Sequence, residues 1–357
     1  MVKFGPLLLG LALLTRIAAP PLLSAPADRG VAINPAAEKP HAIDNLLTGR
    51  FKWIISPPLV TPLNRPDDLT YSVKDPTVVH YKGRWHLFCT IRGKKRSHQI
   101  EYICFEDWKG VSGAKRCVLK LSDGYFCAPQ VFYFTPHKQW YMIYQVIDKS
   151  RKPSLQPAYS RTSDISDPNS WSKPKLLFSA QPENVKRWID FWVICDSTRA
   201  HFFFTSLDGR MWRSETKLRD FPGGWSQPSI VIRGDIFEAS HTYRLKGLNK
   251  FLTIVEAQAG GRRYYKAYLA EKLDGQWMPL AARKDKPFAG PANTLNTGAH
   301  WTDSFSHGEL IRDGYDQNLV VDPARLRLLF QGVSDEDKRG KKYGEIPWRL
   351  GMLTPAQ

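Results

Sequence analysis

Three carboxylate residues stand where strand-like segments of this sequence begin, and their types suit acid–base chemistry. Asp75 lies in "KDPTVVHY", Asp190 in "DFWVICD" and Glu238 in "EASHTYRL". Like charges in a partly desolvated pocket repel and raise each other's pKa, so a purely structural arrangement seldom brings three together. Cleavage of a glycosidic bond needs an acid for the leaving oxygen and a base or nucleophile on the opposite face of the sugar. A third carboxylate can raise the pKa of the acid.

These residues occupy corresponding places in a repeated unit. The unit has a polar or small residue at its head, an alternating apolar strand, a turn and a second, aromatic strand. The heads lie about 50 to 70 residues apart, and they are Asp75, Ala128, Asp190, Glu238 and Ser306. Helical periodicity is nearly absent, and repeats of this length with several strands are typical of propellers. We therefore predict an all-β fold, a five-bladed β-propeller.

The predicted propeller would bring the repeat heads into a ring. The innermost strand of each blade runs along the central channel, so the heads, with Ser306 and His307 from the fifth blade, should converge at one end. Lys74 would supply a positive partner that helps to keep Asp75 ionised. Blades one and four are not neighbours, so Asp75 and Glu238 should lie well apart. This favours the inverting separation of roughly 6.5 to 9.5 Å over the retaining one of about 5 Å.

Each carboxylate, taken singly, also has a plain structural interpretation. The tripeptide "KDP" around Asp75 is a common turn at a strand edge. Asp190 could merely cap a turn, and Glu238 could be a strand residue that faces solvent. Their shared position in the repeat is what favours chemistry.

Other polar and aromatic residues remain open between two interpretations. Asp196, in "CDSTRA", is predicted to be a hairpin residue. His307 and Glu309, in "SHGE", could be ligands in the channel or hydrogen-bonded core groups. Most tryptophans should pack the blades, but some, such as Trp140 or Trp188, could be platforms for sugar rings.

The two ends of the chain set the expected compartment and domain organisation. Residues 1–27 combine Lys3, an apolar run and small residues near Ala25, which is the pattern of a signal peptide. We expect a secreted protein, extracellular or periplasmic, with a Pro-rich linker over 28–49 and the catalytic propeller over 50–357. The number of cysteines is odd, and none form a CxxC pair. A disulfide from Cys104 to Cys117 or Cys127 and buried free thiols both remain open.

The charge of the chain predicts attraction to polyanions. Lys and Arg number 51 against 34 Asp and Glu, a formal net charge of +17. The basic residues are scattered, as in "RGKKR" at 92–96 and "KRGKK" at 338–342, and no nucleic-acid-binding motif accompanies them. For an exported protein, an acidic polysaccharide or an anionic cell surface is a better counterpart than nucleic acid, and a merely solvated basic surface is better still.

Several segments together resemble the glycoside hydrolase family 62 α-L-arabinofuranosidases. They run in order from about residue 50 to the C-terminus: "SVKDPTVV" after "FKW", "APQVFYFTPHKQWYMIYQ", "DFWVICD", "FEAS", "SHGELIRDGYDQ" and "PWRLGML". The resemblance implies a five-bladed propeller that removes arabinofuranosyl side groups from arabinoxylan or arabinan by inversion.

The resemblance also implies roles for individual residues. Asp75 would be the general base, Glu238 the general acid, and Asp190 the group that tunes and orients the acid. The two substrate contacts would be Lys74, to the arabinose, and Tyr343, which would close over the sugar. A calcium ion in the channel would be held by His307. Where family members often have Asn after this tyrosine, this chain has Gly344, which removes a hydrogen-bonding group for the xylan backbone.

Two other classes of protein remain open at this stage. One is another propeller glycosidase, of the β-xylosidase or arabinanase type, because it would use the same carboxylates. The other is a carbohydrate-binding propeller without catalysis, although a lectin has no need for three like charges. We expect a monomer that acts on polysaccharide, with no nucleic-acid or membrane partner. An acidic polymer, such as a xylan that carries glucuronic acid, would suit the basic residues.

Overall fold

The computed structural model describes Met1 and residues 42–356, and the latter form five β-sheets. The first strand, β1 (Trp53–Ile55), belongs to the last sheet. The sheets follow one another along the chain as blades I to V, and blades I to IV each begin with their innermost strand. The predicted all-β class and five-bladed propeller are confirmed.

Blades I and II are four-stranded antiparallel meanders. Blade I consists of β2 (Thr70–Tyr81), β3 (Arg84–Gly93), β4 (Ser97–Phe105) and β5 (Arg116–Val118). Blade II consists of β6 (Phe126–Phe134), β7 (Gln139–Ile147), β8 (Leu155–Thr162) and β9 (Lys175–Leu176). The innermost strands, β2 and β6, are almost wholly buried because they line the channel.

Blades III and IV repeat the pattern. Blade III consists of β10 (Ile189–Cys195), β11 (Arg199–Thr205), β12 (Arg210–Lys217) and β13 (Ser229–Arg233). Blade IV consists of β14 (His241–Leu245), β15 (Phe251–Ala259), β16 (Arg262–Ala270), β17 (Met278–Arg283) and β18 (Lys286–Pro287).

Blade V joins the two ends of the folded chain. Its later strands are β19 (Thr294–Asn296), β20 (Ser304–Leu310), β22 (Leu328–Val333) and β23 (Arg349–Pro355), while β21 (Val320–Val321) pairs with β14 of blade IV. Strand β1 lies between β19 and β23 and pairs antiparallel with β23. The ring is therefore closed by hydrogen bonds between the first and last strands.

Helical structure is confined to short connections. Residues 335–338 form one α-helical turn, and 3₁₀ turns cover Trp108–Gly113, Thr135–His137, Leu218–Asp220, Pro323–Arg325 and Tyr343–Glu345. Residues 42–47, in the segment predicted as linker, are also helical, and Leu46 is buried in the core. The fold thus begins before residue 50. The predicted signal peptide, 1–27, lies outside the described residues except for Met1.

The described part of the chain contains no helix of the length and apolarity that a bilayer span requires.

Trp301 packs tightly in blade V against two glycines, Gly332 and Gly351. A Cβ atom at Gly332 would lie 2.7 Å from Cζ3 of the indole, and one at Gly351 would overlap its Cζ2. The indole is buried, and its Nε1 donates to the carbonyl of Ser56 at 2.8 Å. The glycines therefore leave the space that the indole fills.

We expect Gly351→Ala to lower the free energy of unfolding by about 1–3 kcal/mol, because an overpacked core must move the ring or the strand. Urea denaturation followed by tryptophan fluorescence measures the change. Gly110→Ala is the matched control, since its Cβ would meet no atom within 4 Å. Equal stability of the two variants would contradict this account of Trp301.

Candidate active site

The innermost strands share a distorted backbone at the end of the channel where they begin. Asp75, Ala128, Asp190 and Ala239 all have left-handed backbone angles, with φ of 48°, 52°, 55° and 52°. In β2, β6 and β10 the strand register shifts at this point, as in a β-bulge. Such angles cost free energy in residues other than glycine. Bulges of this kind change the direction of side chains and are common next to active sites.

Each of these distorted residues is held by a side chain of the preceding blade. The backbone N–H of Asp75 donates to Gln331 Oε1 at 2.8 Å, and that of Asp190 donates to Gln145 Oε1 at 2.9 Å. The same bond is made by Ala128 to Thr90 Oγ1, by Ala239 to Asp190 Oδ2 and by His307 to Glu256 Oε2. The five equivalent positions are thus Asp75, Ala128, Asp190, Ala239 and His307, tied in a ring of inter-blade hydrogen bonds.

The predicted repeat heads are therefore wrong by one residue in blades IV and V. Ala239, not Glu238, matches Asp75 and Asp190, and His307, not Ser306, is the fifth member. Glu238 instead corresponds to Lys74, one position earlier. The strand pattern could not reveal this offset, because the position is defined by the inter-blade hydrogen bond of its N–H and, in blades I to IV, by a left-handed φ.

His307 brings two of the predicted carboxylates together. Its Nδ1 lies 3.3 Å from Asp75 Oδ1 and 3.6 Å from Asp190 Oδ2. All three side chains are more than nine-tenths buried. Burial lowers the pKa of His307, against the opposing charge of Asp75. His307 thus places one imidazole ring between the two carboxyl groups.

Asp75 and Asp190 have opposite proton affinities. Burial alone would raise the pKa of Asp75, but the His307 imidazole and the Lys74 ammonium hold it below the ordinary 3.8. Burial raises the pKa of Asp190 well above its ordinary value, and the charges of Glu238 and Asp75 add to this effect. Asp75 is consequently the ionised carboxylate and is suited to accept a proton. Asp190 instead keeps its own proton to a higher pH than an ordinary carboxyl group.

Glu238 belongs to the same network through two contacts. Its Oε1 lies 2.5 Å from Arg263 Nη1, and its neighbour Ala239 donates to Asp190. Within residues 42–356 the hydrogen bond of the Glu238 side chain is made by Oε1, and Oε2 is not hydrogen-bonded. The predicted triad is thus brought to one end of the channel, with Glu238 linked to Asp190 through the backbone.

The sequence-based prediction missed two charged residues that support the triad. Arg263 Nη1 also lies 3.0 Å from Glu256 Oε1 and donates to Ser306 Oγ at 3.0 Å. Ser306 donates to Glu256 Oε2 at 2.6 Å. Burial raises the pKa of Glu256 to about 7, with Arg263 opposing and Glu238 adding to the shift. The sequence does contain one sign of this support, because Glu256 interrupts the otherwise apolar segment "FLTIVEA".

Lys74 and Tyr343, the predicted substrate contacts, lie side by side at the rim of the site. The Lys74 ammonium is 5.4 Å from the centre of the Tyr343 ring, and the Arg263 guanidinium is 5.7 Å from the same ring. Tyr343 is 54% exposed, unlike the buried carboxylates below it. The aromatic ring thus has a free surface beside two cations, as a contact to a sugar requires.

Several other predictions are settled by burial. Trp140 and Trp188 are only 1% exposed, so they pack blades and cannot be sugar platforms. Asp196 lies between β10 and β11 and accepts from the backbone N–H of Thr198 and Arg199, which confirms it as a hairpin residue. Glu309 is buried and lies 2.5 Å from Arg312 Nε, as a core group.

Two observations concern disulfide formation and metal binding. All five cysteines are free thiols in the structure. Over the described residues, no group of three or more His, Cys, Asp and Glu has an arrangement that could hold a metal ion. The metal-binding role of His307 therefore stays a prediction.

Acid–base cleavage of a glycosidic bond is the chemistry that this arrangement can perform. It supplies an ionised carboxylate, a carboxyl cluster that retains a proton and an exposed aromatic ring at the rim. The propeller and its ring of carboxylates together define a glycoside hydrolase.

Known proteins with the same features narrow this class to one family. The sequence model of the family described as "Glycosyl hydrolase family 62" matches residues 53–354. The chain belongs to this family, as its motifs predicted.

One curated relative is an α-L-arabinofuranosidase C from Cellvibrio japonicus, 38% identical over 315 residues. The match covers 86% of this chain but 47% of the relative, so the chain spans about half the length of that protein. The catalytic domain of a family 62 α-L-arabinofuranosidase from Coprinopsis cinerea is 37% identical, with a TM-score of 0.81 over 87% of this chain and 98% of that one. An α-L-arabinofuranosidase from Podospora anserina, solved with cellotriose, is 35% identical with the same TM-score and coverage.

Proposed function

We propose that this glycoside hydrolase is an α-L-arabinofuranosidase that releases terminal arabinofuranosyl side groups from arabinoxylan or a related polysaccharide by inversion. The observation that carries the proposal is the meeting of Asp75 and Asp190 at His307 Nδ1, with Glu238 tied to Asp190 through Ala239. The names of the relatives support arabinose as the sugar.

In the proposed reaction, Asp75 accepts a proton from the water that attacks the anomeric carbon. Its lowered pKa keeps it ionised for this role. Glu238 donates a proton to the oxygen of the departing xylose unit through Oε2, which is not hydrogen-bonded within residues 42–356. Asp190 Oδ2 accepts a hydrogen bond from the backbone N–H of Ala239 at 3.0 Å and so orients the neighbouring acid, Glu238.

Lys74 and Tyr343 bind the arabinose in this proposal. The Lys74 ammonium is buried next to Asp75 and can donate to a sugar hydroxyl. The exposed Tyr343 ring covers the sugar from the rim. Together they would fix the anomeric carbon between the base and the acid.

A calcium ion at His307 remains part of the proposal. Calcium takes six to eight oxygen ligands, and the oxygens that face His307 Nδ1 belong to Asp75 and Asp190. Asp75, Asp190 and His307 could therefore hold a calcium ion only if water supplied most of its ligands. When bound, it would supply positive charge among the carboxylates.

We propose that the protein is secreted and acts as a monomer. The leading segment favours secretion, and the charge of +17 favours a polymer with acidic groups over a neutral one.

Product analysis on wheat arabinoxylan tests the proposed function. Proton NMR during the first minutes should show free arabinose with the β anomer first, because a single displacement inverts the α linkage. Initial α-arabinose would overturn inversion. Xylose or arabino-oligosaccharides as the released sugar would instead favour the β-xylosidase or arabinanase type, and no released sugar would favour a binding propeller.

A further inference from the structure

Arg92 lies at the rim of the site, against the residue that follows Tyr343. It is near the end of β3, opposite Ser72 in β2 and His98 in β4. A Cβ atom at Gly344 would lie 3.4 Å from Arg92 Nε and 3.5 Å from Nη2. These are ordinary van der Waals distances, so the guanidinium lies directly against the backbone that follows Tyr343.

The guanidinium of Arg92 is not neutralised by the protein. Neighbouring arginines are paired: Arg65 and Arg116 both contact Glu101, and Arg96 contacts Asp67. Over residues 42–356, no carboxylate lies within 4.0 Å of Arg92, and its one hydrogen bond goes from Nη1 to the carbonyl of Gly93. A planar guanidinium with open donors suits a carboxylate, which it can bind through two parallel hydrogen bonds.

Other cations at the same rim are also unpaired. Lys94 and Lys95 follow Arg92 on the next turn, and Lys341 and Lys342 directly precede Tyr343; all four are exposed. None has a carboxylate within 4.0 Å in the described part of the chain. Closer to the channel, burial lowers the pKa of His98 to about 3, and the charges of Lys74 and Arg92 add to the shift. Unpaired positive charge therefore lies on the two chain segments that meet at Arg92 and Gly344.

We infer that Arg92, placed against Gly344, forms a subsite for the carboxylate of a uronic acid carried by the polysaccharide close to the arabinose that is removed. This inference rests on the proposed function for the position of the arabinose at Tyr343. The subsite lies one residue from that ring, so a carboxylate on the same polymer chain can reach it. The exposed lysines attract the polyanion over a longer range, and Arg92 makes the short-range contact.

The test compares arabinose release from glucuronoarabinoxylan with release from the same polymer after its carboxyl groups are reduced to alcohols. For the wild type we expect kcat/KM to be higher on the acidic polymer at low salt. For Arg92→Gln we expect this preference to fall about tenfold, the value of one good charge-assisted contact. Arg92→Lys should fall in between, because it keeps the charge and loses the two-point geometry.

Arg219→Gln is the matched control. Arg219 is an exposed arginine of blade III whose nearest acidic contact is Asp220 at 3.8 Å. The same loss of one charge there should leave the preference unchanged. An equal fall in both variants, or an unchanged preference in Arg92→Gln, would overturn the subsite while arabinose release still supports the proposed function.

A binding measurement separates failure of the subsite from failure of the proposed function. Affinity electrophoresis in gels that contain glucuronoxylan or its carboxyl-reduced form needs no turnover. Should the wild type release no arabinose from either polymer, stronger retardation by glucuronoxylan that Arg92→Gln loses would still support the subsite. Equal retardation of the wild type by both polymers would overturn it.

Discussion

Glu238→Gln is expected to lower kcat/KM for arabinose release from arabinoxylan by about 10²- to 10⁴-fold, and to lower it far less on 4-nitrophenyl α-L-arabinofuranoside. The xylose oxygen of the polymer is a poor leaving group that needs a proton in the transition state. Nitrophenolate leaves without that proton. An amide at position 238 can keep the contact with Arg263 but cannot donate an acidic proton.

Kinetics on the two substrates, measured with the same enzyme preparation, give the result. Glu271→Gln is the control, because Glu271 is an exposed blade IV residue whose one ion pair among residues 42–356 is with Lys250 at 3.4 Å. It should leave both activities unchanged. Equal losses on polymer and aryl substrate in Glu238→Gln would mean that Glu238 positions the sugar and is not the acid.

Asp75→Asn is expected to lower kcat/KM on both substrates together by about 10²- to 10⁴-fold. The attacking water must lose its proton whichever group departs, and asparagine cannot accept it. The backbone N–H of residue 75 can still donate to Gln331, so the strand distortion should survive. This pattern separates the base from the acid without a ligand-bound structure.

The pH profile gives an independent check on Asp75. Because the pKa of Asp75 is lowered from 3.8, wild-type kcat/KM should fall only when the pH drops below about that value. Lys74→Met removes a positive neighbour and should move this acidic limb to higher pH. Asp285→Asn, an exposed residue paired with Arg283, should leave the limb in place. An acidic limb that does not respond to Lys74 would assign it to another group.

The repeat pattern predicted the fold because period-two strands and turn residues are local features of the sequence. Five inner strands and their order could be read without knowing how they pack. The closing of blade V by β1 could not, because three residues, Trp53–Ile55, carry no signal of their distant partner β23. Such pairing depends on ring geometry, which appears only after the blades are assembled.

The site was predicted in its residue types but not in its alignment. Asp75, Asp190 and Glu238 were found through charge at strand heads. The offset of Glu238 was missed, because Ala239 takes the left-handed angle and an alanine gives no sign of it. Arg263 was missed because its partners, Glu256 and Ser306, come from β15 and β20.

The ring of inter-blade hydrogen bonds limits how far the blades of this propeller could be exchanged for one another. Each blade carries both an acceptor for the next blade and an N–H that the previous blade must satisfy, as with Gln145 and Asp190. One blade therefore cannot simply replace another. The exchange would leave a buried N–H without an acceptor on one side and an acceptor without a donor on the other. In blade III the acceptor is Asp190 itself, so a group at the reaction centre also couples two blades. Substitution of Asp190 is consequently constrained by assembly of the ring as well as by catalysis.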